Sequence, residues 1–77
     1  MALVRKIRKI SKARPAVHAE VECECAIFEE KGARYLQLDT YGTKQRKRKD
    51  QISQSIQLTR ESADELRRLL DQAFPPR

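Results

Sequence analysis

Aromatic residues, glycines and histidines are scarce in this chain, and each scarcity excludes a class of protein. There is no Trp, only two Gly and a single His, and aromatic residues make up 5% of the 77 residues. Without a glycine-rich segment the chain has no phosphate-binding loop of the nucleotide-hydrolase kind. Because no combination of nucleophile, base and orienting partner can be named, we expect no catalytic residues and no enzyme. No apolar run approaches the roughly 20 residues needed to cross a bilayer, so no membrane association is expected.

The two cysteines, Cys23 and Cys25, are separated by a single residue. On an extended strand their Cβ atoms lie on the same side but about 7 Å apart, which is too far for a disulfide. This spacing favours a reducing compartment, either the cytoplasm with nucleoid association or, in a eukaryotic cell, the nucleus. Because His18 falls on the opposite face, the three residues do not converge as a metal site requires. We therefore expect no metal and no cofactor, and we interpret both cysteines as small buried core residues.

Charge is distributed in blocks, although the whole chain carries a net charge of +6. Residues 1–16 contain six bases and no acid, whereas residues 17–30 contain five acids and no base. Residues 31–50 are basic again, with seven bases against two acids. Two basic blocks therefore flank one acidic segment. The excess of positive charge favours nucleic acid or another anionic partner.

Hydrophobic periodicity predicts a fold of class α+β, with a curved antiparallel β-sheet of three to four strands followed by one C-terminal α-helix. Residues 17–28 alternate strictly, which is the period-two pattern of a strand whose odd-numbered residues face the core. Gly32 suits a turn that needs a positive φ, and it leads to a second strand in which Leu36 and Leu38 point inward. A third strand is predicted over about Ile52 to Leu58.

The C-terminal segment reads as a helix with a clear beginning. Thr59 suits the N-cap position, because its hydroxyl can accept a hydrogen bond from an unpaired backbone N–H. Glu61 and Asp64 are placed in the first turn, where the helix dipole favours negative charge. An apolar stripe follows, and a Pro-Pro pair ends the helix.

We divide the chain into a basic N-terminal arm of residues 1–16 and a single β-β-β-α nucleic-acid-binding domain of residues 17–77. The arm is open to two interpretations. Leu3, Ile7 and Ile10 suit one face of a helix, whereas the same segment also suits an added edge strand. No repeat and no linker composition separates a second domain.

Two features are candidates for nucleic-acid binding. Phe28, Tyr35 and Tyr41 fall on the strand face opposite the predicted core, where rings can stack on unpaired bases, although tyrosines also pair across strands for structural reasons. The run from Lys44 to Lys49 has five bases in six residues, and it either binds phosphates or forms a solvated hairpin tip. Three carboxylates on the aromatic face would repel phosphate unless they pair with the arm or a partner subunit: Glu20, Glu22 and Glu24.

Three consecutive segments carry a resemblance to a known family. They are EKGARYLQLD from Glu30 to Asp39, then the basic loop, then SIQLTRE from Ser55 to Glu61. In this order, over residues 17–74, the chain resembles the positive-cofactor-four family of transcriptional coactivators. The resemblance implies a strongly curved antiparallel sheet backed by a helix, dimerisation through the helices, and single-stranded DNA bound across sheets and loops. It also implies that Lys31 and Arg34 contact the DNA backbone.

We expect a small non-enzymatic nucleic-acid-binding protein that prefers single-stranded DNA, with RNA still open, and that serves transcription or DNA maintenance. The alternative is a protein–protein interaction module that uses the acidic strand and the basic loop and has only generic affinity for nucleic acid. A second copy bound through the C-terminal helix is expected, and a small-molecule substrate is not. The expected nucleic-acid-binding residues are Lys31, Arg34, Tyr35, Tyr41, Phe28, Lys44, Arg46, Lys47, Arg48, Lys49, Arg5, Lys6, Arg8 and Lys9.

The basic run generates a prediction about salt dependence. Replacing Arg46, Lys47, Arg48 and Lys49 together by Ala should flatten the dependence of single-strand affinity on salt. Removing one phosphate contact lowers the log–log slope by about 0.7 on a single strand, because fewer counterions are released. The slope is measured by fluorescence anisotropy of a labelled oligonucleotide between about 50 and 200 mM salt, over which six or more phosphate contacts change the affinity by orders of magnitude. An unchanged slope in the quadruple variant would contradict the role assigned to these residues.

Overall fold

The computed structural model describes residues 1–42 and 52–77 as a four-stranded sheet followed by one helix. The elements are β1 (Ala2–Val4), β2 (Cys23–Glu30), β3 (Ala33–Thr40), β4 (Gln54–Leu58) and α1 (Arg60–Ala73). The strands lie in the order β1-β4-β3-β2. The α+β class is confirmed, but the sheet is mixed, because β1 from the arm pairs parallel with β4 while the other pairs are antiparallel. The edge-strand interpretation of the arm is thus correct for its first residues.

The β2–β3 hairpin is the longest ladder of the sheet, and a two-residue turn closes it. Lys31 and Gly32 both adopt a positive φ, of 52° and 82°, which is the type I′ turn whose twist matches that of the flanking strands. Glycine takes this conformation without steric cost, as expected at Gly32. The turn places Glu30 opposite Ala33, and pairing continues without interruption to Cys23 opposite Thr40.

The strands are shorter than the alternation alone predicts. Residues 17–22 alternate like a strand, yet β2 begins only at Cys23. The reason is the length of the partner, since β3 ends at Thr40 and only one further backbone bond, from the Tyr41 N–H to the Glu22 carbonyl at 3.3 Å, extends the ladder. The third predicted strand is also shorter. The sequence pattern predicts it from about Ile52, whereas β4 spans Gln54–Leu58.

The start of α1 is fixed by a reciprocal capping interaction, as predicted at Thr59. The Thr59 hydroxyl accepts a hydrogen bond from the Ser62 N–H, and the Thr59 N–H donates to the Ser62 hydroxyl at 2.9 Å. This is a capping box in which Ser replaces the usual Glu or Gln. Glu61 lies in the first turn, where its own backbone N–H and then the Thr59 side chain hold the pKa of its carboxyl below the ordinary value. Asp64 lies one turn further along and pairs with Arg67 instead.

The predicted core face of the sheet is largely uncovered, which corrects the sequence interpretation. Among the hydrophobic residues that the structure describes, only Leu58 is buried, at 5% exposure. Ile27 is 65% exposed and Ile56 is 42% exposed, although both lie on the face that carries Leu58. The helix follows β4 directly and leaves β2 open, so Cys23 and Cys25 are exposed free thiols and not buried core residues. Leu70 of the helix and the C-cap residue Phe74 are likewise exposed, at 47% and 75%.

The capping box generates a prediction about stability. Ser62 is completely buried, and Thr59→Ala removes the acceptor for its backbone N–H. The free energy of unfolding should therefore fall by about 1–2 kcal/mol. The melting temperature measured by circular dichroism should fall by several degrees. Thr59→Ser keeps the hydroxyl and is the matched control, for which we expect a melting temperature close to that of the unmodified chain. Equal losses in both variants would show that the threonine methyl group, and not the cap, stabilises this end of the helix.

Candidate nucleic-acid interface

Two aromatic rings meet on the sheet face opposite Leu58. The register of the hairpin places Phe28 directly across from Tyr35, and their ring centroids lie 5.5 Å apart with an interplanar angle of 27°. Both residues are half-buried. The rings therefore form the cross-strand pair that a purely structural reading expects. Their partial exposure also leaves aromatic surface on which an unpaired base can stack.

Tyr41, the third predicted aromatic, is tied to the acidic strand and not to the ring pair. Its hydroxyl donates to the Glu24 carboxylate at 2.8 Å, and its backbone N–H donates to the Glu22 carbonyl at 3.3 Å. These two bonds orient the ring just beyond the end of β3. They also give Glu24 a polar partner, which lowers the cost of placing a carboxylate beside the aromatic face.

A row of connected amides crosses the same face. The Gln57 amide donates to the Gln37 side-chain oxygen at 2.8 Å, and the Gln37 amide donates to the Asp39 carboxylate at 2.9 Å. Gln37 pairs directly with Gln57 in the register, so the row runs from β4 to β3. Sequence reasoning assigned these residues no role. The signal that was present is the period-two spacing that puts Gln37, Asp39 and Tyr35 on one face.

Three bases of the arm lie beside the helix: Arg5, Lys6 and Lys9. The Ile7 N–H donates to the Glu65 carboxylate at 2.9 Å, and the Lys9 ammonium donates to the Gln72 side chain at 3.0 Å. Arg5 and Lys6 line an open groove whose other lining residues belong to the helix. Those helix residues include three acids that offset the charge of the arm: Glu61, Asp64 and Glu65. The structure therefore brings three of the arm's four predicted binding bases to the helix, and no hydrogen bond or ion pair of Arg8 with the helix is seen among the described residues.

The two bases predicted from the hairpin occupy different positions. Lys31 forms the turn itself. Arg34 pairs with Glu29 in the register, with 3.8 Å between the guanidinium and the carboxylate, and it shares the face of Leu36, opposite to Tyr35. On that face Arg34 borders a groove of about 290 Å³ between the sheet and the helix. Sequence reasoning missed the other two arginines of this groove, Arg60 and Arg67, although their spacing of seven residues places them on one side of a helix.

The predicted basic loop cannot be placed on this framework. Lys44, Arg46, Lys47, Arg48 and Lys49 lie outside the described residues. Within residues 1–42 and 52–77, no group of three or more His, Cys, Asp or Glu side chains is arranged to hold a metal ion. In the same part of the chain, no helix is both long enough and apolar enough to span a membrane.

Comparison of the chain with protein-family models, with curated proteins and with solved structures finds no match. The resemblance to the positive-cofactor-four family therefore stays a prediction from its motifs.

Proposed function

We propose that this protein is a small, non-enzymatic nucleic-acid-binding protein that forms a homodimer and prefers single-stranded DNA over duplex. It acts in transcription or DNA maintenance, in the cytoplasm or the nucleus. The observation that carries the proposal is the half-exposed ring pair of Phe28 and Tyr35 on a sheet face. Stacking of this kind needs a base whose face is free, and a duplex does not offer one. A preference for single strands follows from that requirement, whereas a preference for DNA over RNA does not.

The polar groups beside the ring pair suit a ligand that carries both bases and phosphates. The amide row formed by Gln37 and Gln57 offers donors and acceptors to base edges. Lys31 lies three residues from Phe28 at the turn, where its charge can meet a phosphate. Two carboxylates of this face, Glu24 and Asp39, already accept hydrogen bonds from protein groups. Their repulsion of phosphate disfavours the start of β2, whereas at the turn the carboxylate of Glu30 on this face lies next to the base Lys31.

The homodimer is supported by the amount of surface that one chain leaves uncovered. The accessible surface is 7482 Å², against roughly 4,800 Å² for a compact monomer of this mass. The radius of gyration is 14.6 Å, against about 11.5 Å for a compact chain of this length. The extra surface includes the arm as well as the exposed apolar side chains Ile56, Leu70 and Phe74. A core in which Leu58 is the one buried aliphatic side chain among the described residues is too small to stabilise a domain alone, so a second copy packed on this region completes it.

The ring pair can be tested by removing the aromatic surface and keeping an apolar side chain. Tyr35→Leu should weaken binding of a single-stranded 20-residue oligonucleotide by about 5- to 150-fold, the range that corresponds to the stacking of one base. Duplex affinity should change little. Fluorescence anisotropy on both ligands at constant salt measures the effect.

The matched control is Tyr35→Phe, which keeps the ring and removes only the hydroxyl. We expect it to bind like the unmodified chain. If Tyr35→Leu and Tyr35→Phe are indistinguishable, or if the unmodified chain binds single strand and duplex equally weakly, the proposed function is wrong.

The homodimer can be tested on the helix. Leu70→Glu introduces a carboxylate at an apolar position that is 47% exposed in one chain, so it should halve the mass measured by sedimentation equilibrium from about twice the 9.0 kDa of one chain. The control is Gln72→Glu, which adds the same charge nearby and keeps an acceptor for Lys9. That variant should remain dimeric. A monomeric mass for the unmodified chain would exclude the dimer.

A further inference from the structure

The outer edge of β2 is an open, eight-residue strand edge. In the order β1-β4-β3-β2, strand β2 is the last strand and pairs only with β3 among the described residues. It contains neither Pro nor Lys, the residues that commonly protect such an edge. Its unpaired backbone groups are therefore a ready template for one more strand.

The hydrogen-bond pattern of the hairpin shows which backbone N–H and C=O groups of β2 point away from β3. The bond from the Tyr41 N–H to the Glu22 carbonyl shows that even-numbered residues of β2 point their backbone groups toward β3. In an antiparallel pair the intervening residues point theirs away. The N–H and C=O groups that face outward belong to four residues: Cys23, Cys25, Ile27 and Glu29.

A second copy of this strand is a poor occupant of the edge. When two copies of β2 pair antiparallel along this edge, the outward-facing odd-numbered residues of one copy must lie opposite odd-numbered residues of the other. The longest two-fold symmetric pairings are therefore centred on Ala26 or on Ile27. The first places Glu22 opposite Glu30 of the other copy, and the second places Glu24 opposite Glu30. Like charges directly across a ladder are destabilising. The acidic residues therefore disfavour self-pairing.

The same carboxylates favour a basic peptide at the β2 edge. The segment of residues 17–30 holds five acids and no base. On the aromatic face, positions that flank the edge carry Glu24 and Glu30. On the other face, the exposed Ile27 borders the groove between sheet and helix, where Leu36 and Leu58 offer apolar surface beside the three arginines described above. Because side chains of an added strand alternate between faces, the complementary partner alternates basic and apolar residues.

We propose that the β2 edge binds an extended peptide of another protein, in which lysine or arginine alternates with an aliphatic residue, by adding it as a fifth strand. Backbone hydrogen bonds to Cys23, Cys25, Ile27 and Glu29 hold the peptide. Its basic side chains lie beside the carboxylates of β2, and its aliphatic side chains enter the groove at Ile27. This mode of recognition takes affinity from the main chain and specificity from alternate side chains. It does not depend on the proposed binding of single-stranded DNA.

The probe is an acetylated and amidated peptide in which lysine or arginine alternates with valine. Its binding should slow amide hydrogen exchange of Cys23, Cys25, Ile27 and Glu29, as measured by NMR, in the alternating pattern of one added ladder. A peptide of the same composition with all bases first should bind less tightly. The same alternating peptide, N-methylated at the residues that donate to β2, should bind about tenfold or more weakly, because it can no longer form several of the hydrogen bonds.

A protein variant tests the same edge from the other side. Cys25→Pro removes an N–H that points away from β3, so the hairpin ladder stays intact while the peptide loses a donor. Cys25→Val also removes the thiol but keeps the N–H, and it is the matched control. We expect about tenfold weaker peptide binding in the first variant and unchanged binding in the second. If Cys25→Pro does not fold, the N-methylated peptide decides the question.

Three results would overturn the proposal. Equal binding of the alternating and the rearranged peptide would reduce the interaction to charge alone. Protection of the same amides at high protein concentration without peptide would make a second copy the occupant. Protection by a single-stranded oligonucleotide but not by the peptide would assign the edge to nucleic acid. Because the peptide titration contains no nucleic acid, its failure is distinguishable from failure of the DNA-binding proposal.

Discussion

The register of the β2–β3 hairpin is the constraint on which the remaining geometry depends. The type I′ turn at Lys31 and Gly32 sets Glu30 opposite Ala33, and every other pair follows from that one. A shift of one residue would move every side chain of β2 to the other face. The stacking of Phe28 on Tyr35 and the outward direction of the odd-numbered backbone groups are thus consequences of a single turn.

The shortage of buried apolar surface is the second constraint. The strand order extends the sheet to four strands, but the helix follows β4 and covers only the part of the sheet near Leu58. The ladder and the capping box organise the backbone, whereas neither supplies the burial that offsets the entropy of folding. In the proposed homodimer, a second copy covers the exposed side chains Ile56, Leu70 and Phe74 and supplies part of the missing burial.

Local signals predicted the local structure well. The N-cap at Thr59, the turn at Gly32 and the alternation in β2 and β3 could be identified because each depends on neighbouring residues. Strand ends and strand pairings that depend on residues far apart in the sequence could not be predicted. The start of β2 at Cys23 is set by where β3 ends, and the parallel pairing of β1 with β4 has no local sequence signal.

The candidate site was predicted less completely than the fold, for the same reason. Periodicity assigned Phe28 and Tyr35 to one face, and their pairing in the register confirmed that prediction. It could not show that Arg34 joins Arg60 and Arg67 at a groove on the other face, because this grouping requires the position of the helix. It also could not show that the arm lies along α1, which depends on Glu65 and its bond to the Ile7 N–H.

The blocks of charge in the sequence become separate surfaces in the structure, and that separation is compatible with the proposed binding of nucleic acid on a face that also carries acids. Arg5 and Lys6 of the arm line a groove together with three acids of the helix, which reduces the repulsion between these two bases. The acids of β2 sit at the outer edge of the sheet, where they oppose pairing between copies. A phosphate backbone that approaches the ring pair is repelled from that edge and attracted to the turn at Lys31. In the proposed binding mode, the carboxylates near the start of β2 therefore limit the direction in which a single strand crosses the face. They leave the β2 edge to the proposed ligand of opposite charge.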